Sequence, residues 1–199
     1  MSLFAGPRWR KQFSEKLNPL GAVLIQESNS KLNLGQMVFE FPNHQYITQM
    51  SISDGTGYVA TVASNAISSV LNRVTAPKTA QRYTYINVQT NLKDLEDSFT
   101  IMAKGFLNQK PSSPKPLNHP EFDKNFHIFY TDYEIAQKLF PHEILTEIIR
   151  LKKKEGLQKF SFTTSTNSFA IECNEVRTKV PPVIFGIIDH MVSILAELS

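Results

Sequence analysis

The sequence predicts an α+β protein: a mainly antiparallel sheet in two halves, with helices packed on one side and an apolar helix at the C-terminus. Strand-like runs crowd the first hundred residues, a proline-rich segment interrupts the chain at 108–120, and the rest mixes helical periodicity with one Phe-rich hairpin. Three parts follow: residues 1–107, a basic helix and a strand-rich half; 108–120, a connector; and 121–199, an α/β half. A chain of 199 residues buries roughly 70% of its unfolded surface. It therefore needs neither metal nor disulfide to fold, and its one cysteine, Cys173, excludes an internal disulfide.

Residues 7–17 read as a helix with Pro7 at the first position, where the missing N–H costs nothing. Trp9, Phe13, Leu17 and Leu20 share one stripe by their i, i+4, i+8, i+11 spacing. The runs AVLIQE, GQMVFEF and HQYITQMSIS read as strands, and DGTG at 54–57 reads as a turn. In 58–74, Ala and Leu permit a helix while Val, Thr, Ser and Asn oppose it, and both readings stay open. QRYTYINVQTNL and SFTIMAKGFL return to strand character before NQKPSSPKPLNHP, whose prolines mark an exposed connector.

In the second half FHIFY is a strand. Thr131 and Glu134 fit a capping box opening a helix from Asp132 to Leu139. Pro141 opens a second helix that ends near Gly156. QKFSFTTSTNSFAIEC reads as a hairpin that sends Phe160 and Phe162 to one side, with Phe169, Ile171 and Cys173 likewise aligned. The last helix, about 183–198, has a narrow polar stripe of Gly186, Asp189, Ser193 and Glu197. Its remaining face is wider than one sheet face needs, so Ile188, Met191 and Leu195 are expected to meet a partner.

Charge narrows the partners. Residues 1–16 carry Arg8, Arg10, Lys11 and Lys16 against Glu15, a net of +3, and the whole chain is also +3. The excess therefore describes one end rather than a basic face, which makes nucleic acid an unsuitable partner. No run of about 18 uncharged apolar residues suits a membrane span. The opening MSLFAGPRWRKQF lacks the apolar core of a secretory signal. A lone cysteine fits a reducing compartment, so the expected location is the cytoplasm, at the membrane surface if the N-terminus docks there.

The stretch 118–143 gathers three histidines, five carboxylates and six aromatic rings. His119 and His127 are separated by eight residues with Pro120 between them, and no HExxH is present. Capping and turn-making account for these residues, and no metal or cofactor is expected. Cys173 alternates with Phe169 and Ile171, so it should be buried and inert. The glycines form no phosphate loop, and the basic RLKKKEG ends a helix where cations suit the dipole.

HPEFDKNFHIFYTD, AQKLFPHEILTEIIRLKK, KFSFTTSTNSFAIEC and the apolar last helix resemble an uncharacterised bacterial family, a domain of unknown function whose members are often tethered to membranes. The resemblance rests on His119-Pro120-Glu121-Phe122, Phe126 and Thr131-Asp132, and it spans about 118–198. It implies no activity and no catalytic residue.

The expected function is thus a non-catalytic subunit of a larger protein assembly. Its expected contacts are Phe4, Arg8, Trp9, Arg10, Lys11 and Phe13, with Ile188, Met191 and Leu195. The alternative is a peripheral membrane protein lying on an anionic surface through its basic aromatic N-terminus. A hydrolase using His119, Glu121 and Asp132 is the third reading.

Overall fold

The structure, a computed structural model, describes residues 7–29, 35–56, 82–92, 98–104, 115–174 and 179–198. Its frame is one eight-stranded sheet: β1 (Val23–Asn29), β2 (Gly35–Glu40), β3 (Ile47–Thr56), β4 (Arg82–Thr90), β5 (Phe99–Ala103), β6 (Phe126–Tyr130), β7 (Leu157–Thr163) and β8 (Ser168–Cys173). The spatial order is β1-β2-β3-β4-β8-β7-β5-β6, and every neighbouring pair is antiparallel. The expected α+β class with an antiparallel sheet is the one observed. Strands from before and after the proline-rich connector share this sheet, since β4 pairs with β8 and β5 lies between β7 and β6.

Register aligns one apolar row across the middle of the sheet. Phe39 faces Met50, Met50 faces Val88, Val88 faces Phe169, Phe169 faces Phe162 and Phe162 faces Phe99. Because side chains alternate, the intervening residues turn the other way, and there the row reads Ser51, Asn87, Ala170, Ser161 and Thr100. One face is apolar, and the other is polar through its middle with Val38 and Phe129 at the ends of the row.

The helices cover the apolar face. They are α1 (Pro7–Leu17), α2 (Pro120–Asn125), α3 (Tyr133–Leu139), α4 (His142–Glu155) and α5 (Val180–Ala196). A short 3-10 turn, Asn18–Leu20, follows α1 and ends on Gly21 at φ 83°, in the left-handed region. α5 is the central helix, touching α1, α3 and α4 as well as sharing the apolar cluster under the sheet. That position explains its wide apolar surface: it is flanked on both sides in addition to facing the strands. Ile188, Met191 and Leu195 are each 0% exposed. They are core residues, and the expectation that they meet a partner is corrected. Gly186, His190 and Ser193 are the positions that face solvent.

Local signals decide most boundaries. Pro141 caps α4, and Gly156 at φ 63° closes it with N–H bonds to Leu151 and Lys152 carbonyls. The capping box expected at Thr131 and Glu134 is replaced by an Asp132 cap, whose Oδ1 accepts from the N–H groups of Glu134 (2.7 Å) and Ile135 (3.2 Å). Thr131 instead bonds across to Ser98 of the neighbouring segment. DGTG is no turn through its first three residues: Asp54, Gly55 and Thr56 continue β3 opposite Thr84, Tyr83 and Arg82. A long partner strand outweighs local turn preference. The undecided stretch 58–74 lies outside the described residues, as do 108–114 of the connector.

Candidate functional site

His44, in the β2–β3 connection, and Asp189 of α5 form an ion-pair geometry with Nε2 to Oδ1 at 2.9 Å. A His–Asp pair serves catalysis when the second ring nitrogen faces a nucleophile. Here Nδ1 accepts from the backbone N–H groups of Tyr46 (3.1 Å) and Ile47 (2.9 Å). Nδ1 must then be the bare nitrogen, and Nε2 carries the proton towards Asp189. The ring also meets the edge of Phe185, which stacks on Phe41 at 4.7 Å. The pair fastens a turn to the central helix and has no free nitrogen for a substrate proton.

The 118–143 stretch is equally committed. His119 caps α2 by accepting from Phe122 N–H through Nδ1 at 3.1 Å. Asp123 accepts from the N–H groups of Leu117 (3.2 Å) and His119 (3.0 Å). Glu121 pairs with Lys153 at 2.6 Å, which holds its carboxyl below the usual range. Asp132 caps α3. The three groups of the hydrolase reading are thus each tied to a backbone or to a lysine. His119 Nε2 is buried without a hydrogen-bond partner, and its ring lies against that of His142 with centroids 4.9 Å apart. Among the described residues no three metal-capable side chains converge.

Cys173 is 0% exposed, and burial, aided by the charges of Glu155 and Glu172, pushes its thiol up to about 12. A thiol so raised supplies almost no thiolate near neutrality. The expected burial of Cys173 is the burial observed.

The basic N-terminal helix divides between core and solvent. Phe13 and Leu17 are each 0% exposed and pack where α1 meets α5 and β1. Phe13 is thereby removed from the expected contact set. Lys11 faces solvent and stands 3.8 Å from Glu15, one turn on. Phe4 lies outside the described residues, as do the side chains of Arg8, Trp9 and Arg10. Phe13 and Leu17 of the apolar stripe are turned inward, and Leu20 at its end is exposed.

What remains available is an edge of the sheet that the sequence reading passed over. β1 is a terminal strand, joined by β2 on one side and by no described strand on the other. Val23 is 51% exposed and Ile25 46%, with Leu20 at 38% beside them. Alternation points Val23 and Ile25 outward on either side of Leu24, and a bulge between Leu24 and Gln26 leaves Ile25 without a partner residue in β2. Two aliphatic residues inside a three-residue run of an end strand were the available signal, but only topology shows that the strand is terminal. No family model and no curated protein matches the chain. Among the described residues no helix is long and apolar enough to cross a membrane.

Proposed function

We propose that the protein is a non-catalytic interaction subunit that docks into a larger assembly through the open edge of its sheet. The observation that carries this reading is the exposed apolar run Leu20, Val23 and Ile25 on β1. A terminal strand offers unpaired N–H and C=O groups, and natural sheets usually blunt such an edge with lysine or proline. β1, VLIQESN, contains neither. Its backbone groups suit pairing with an extended segment of a partner, and its aliphatic side chains add apolar burial to that pairing.

The catalytic alternatives have less support: Glu121 and Asp132 are engaged in an ion pair and a cap, His44 holds a turn, and His119 caps α2 with only its buried Nε2 uncommitted. The membrane-surface alternative would use the outward residues of α1, which among the described side chains are the charged Lys11, Glu15 and Lys16; these give electrostatic attraction, while firm attachment also requires an inserted apolar face.

A photo-crosslinking amino acid at position 25 tests the reading, with one at Thr163 as the control on an exposed site elsewhere. In source cells, position 25 should yield a discrete crosslinked protein that position 163 does not. The same band should vanish in an L20K/V23K background that keeps its fold. Identical products from both positions would remove the β1 edge as the docking element.

A further inference from the structure

Between the C-terminal end of α4 and the first turn of α5 lies a groove of about 490 Å³. That volume is within the roughly 300–1,000 Å³ range of small-molecule sites. Two other cavities, one under α3 and one under α5, have about 10 Å³ each, room for a single water at most. The groove has an aliphatic wall of Leu151, Val180 and Val183 and a cationic rim of Arg150, Lys154 and Lys179.

The cations of RLKKKEG are not equivalent. Arg150 is bound to Glu147 of its own helix. Lys152 donates to the Asn125 carbonyl at 2.7 Å, which satisfies the end of α2. Lys153 is paired with Glu121. Lys154 makes no ion pair among the described residues, and neither does Lys179. The two residues left over both line the groove, Lys154 from α4 and Lys179 from the position just before α5. Among the described lining residues three cations stand against the one carboxylate of Glu155, and an incoming anion relieves that excess of positive charge.

We propose that this groove binds an amphiphilic anion, its phosphate or carboxylate head held between Lys154 and Lys179 and its apolar part against Leu151, Val180 and Val183. Glu155, only 9% exposed, also lines the groove. Its carboxyl excludes the anionic head from its own surroundings, so the head stays at the rim with the two lysines and only the apolar part goes deeper. A cationic ligand would meet three positive side chains, and a neutral hydrocarbon would leave the lysines unpaired. The site is separate from the β1 edge, and either can fail without the other.

The test is calorimetric titration of the full chain with octyl phosphate below its micellar concentration. Octyl glucoside and inorganic phosphate serve as probes of each half of the ligand. Octyl phosphate should bind one-to-one and at least tenfold more tightly than either probe. K154E/K179E, both changes being at exposed positions, should weaken it tenfold or more, and V183W should fill the groove and remove binding while thermal melts show the variants folded. K154Q/K179Q should give an intermediate loss if charge is the cause. No binding of octyl phosphate, equal binding of octyl glucoside, or unchanged affinity in K154E/K179E would overturn the proposal. Sedimentation with phosphatidylglycerol vesicles separates the sources of the head group. Co-sedimentation lost in K154E/K179E places it on a lipid, and no co-sedimentation of the wild type places it on a soluble amphiphile.

Discussion

Along β6 the sheet ends under cover. The Lys115 N–H donates to the Ile128 carbonyl at 3.2 Å, and the Lys115 ammonium lies 5.1 Å from the centre of the Tyr130 ring. Pro116 follows, so the flanking segment brings the lysine and proline that discourage a further strand. Along β1 the same backbone chemistry is presented with neither device, and the side chains beside it are Val23 and Ile25. The β6 edge is flanked by a segment of the chain, and β1 has no described strand on its outer side. The contrast extends inward: behind the β5–β6 end sits the densest aromatic packing, whereas β1 contributes only the half-buried Leu24 to the cluster.

The largest expected effect lies at the closed end. Phe99 meets Phe140 edge-on at 4.9 Å and lies within 6.3 Å of Phe160, Phe162 and Phe169. Phe99→Ala should cost about 3–5 kcal/mol of unfolding free energy, because so many rings close around one site and the cavity cannot collapse. Denaturant titration reads this directly. A cost under 1 kcal/mol would mean that the aromatic end is loosely packed, and the contrast between the two ends would lose its basis.

The flanking segment at β6 can be loosened selectively. Lys115→Pro removes the N–H that Ile128 accepts, and one lost hydrogen bond at a partly solvated position should cost about 1 kcal/mol. A proline at 115 still discourages a further strand, so light scattering should show no more self-association than the wild type. Increased association would show that this one bond, rather than the lysine and proline, guards the edge.

A smaller effect belongs to the middle of the sheet, on its polar face. Glu172 is 5% exposed, and burial raises its carboxyl above the usual range, with Lys159 opposing part of that shift. A raised folded-state value means that ionisation weakens the fold: stability is complete below the ordinary carboxylate range and declines as pH rises through the raised value. Glu172→Gln should therefore be more stable than the wild type at neutral pH, with the gap closing on acidification. Melting temperatures compared across pH 4–8 check the sign.

These regions differ in how far they could be read from sequence. FHIFY at 126–130 and the limits of α4 were legible because alternation, Pro141 and Gly156 act locally. The short α2 was missed, although Pro120 followed by Glu121 and Asp123 is the charge pattern of a helix start. α5 showed its wide apolar face plainly. Whether a partner or the protein's own helices covered that face depends on α1 and α3 lying on either side, which no local pattern encodes. The same limit hid the candidate edge, since VLIQE reads as a strand wherever it sits in the sheet. His44 and Asp189, 145 residues apart, carry no spacing signal at all.

The smallest effect on stability falls on the open edge, and the comparison turns on it. Val23 and Ile25 are half exposed in the isolated chain, so Val23→Ala and Ile25→Ala should each change unfolding free energy by no more than about 0.5 kcal/mol, as surface substitutions do. Side chains present for docking leave stability unaltered and weaken partner binding; side chains held in place by the chain itself do the reverse. Measuring both quantities on the same two variants separates the cases. Loss of the crosslinked partner, read with the crosslinker at position 25 for Val23→Ala and at position 23 for Ile25→Ala, with an unchanged denaturation midpoint supports an edge that serves as an interface. A stability loss near that of Phe99→Ala, with crosslinking intact, would mean that the chain covers this edge too, and both ends of the sheet would then be closed by the same molecule.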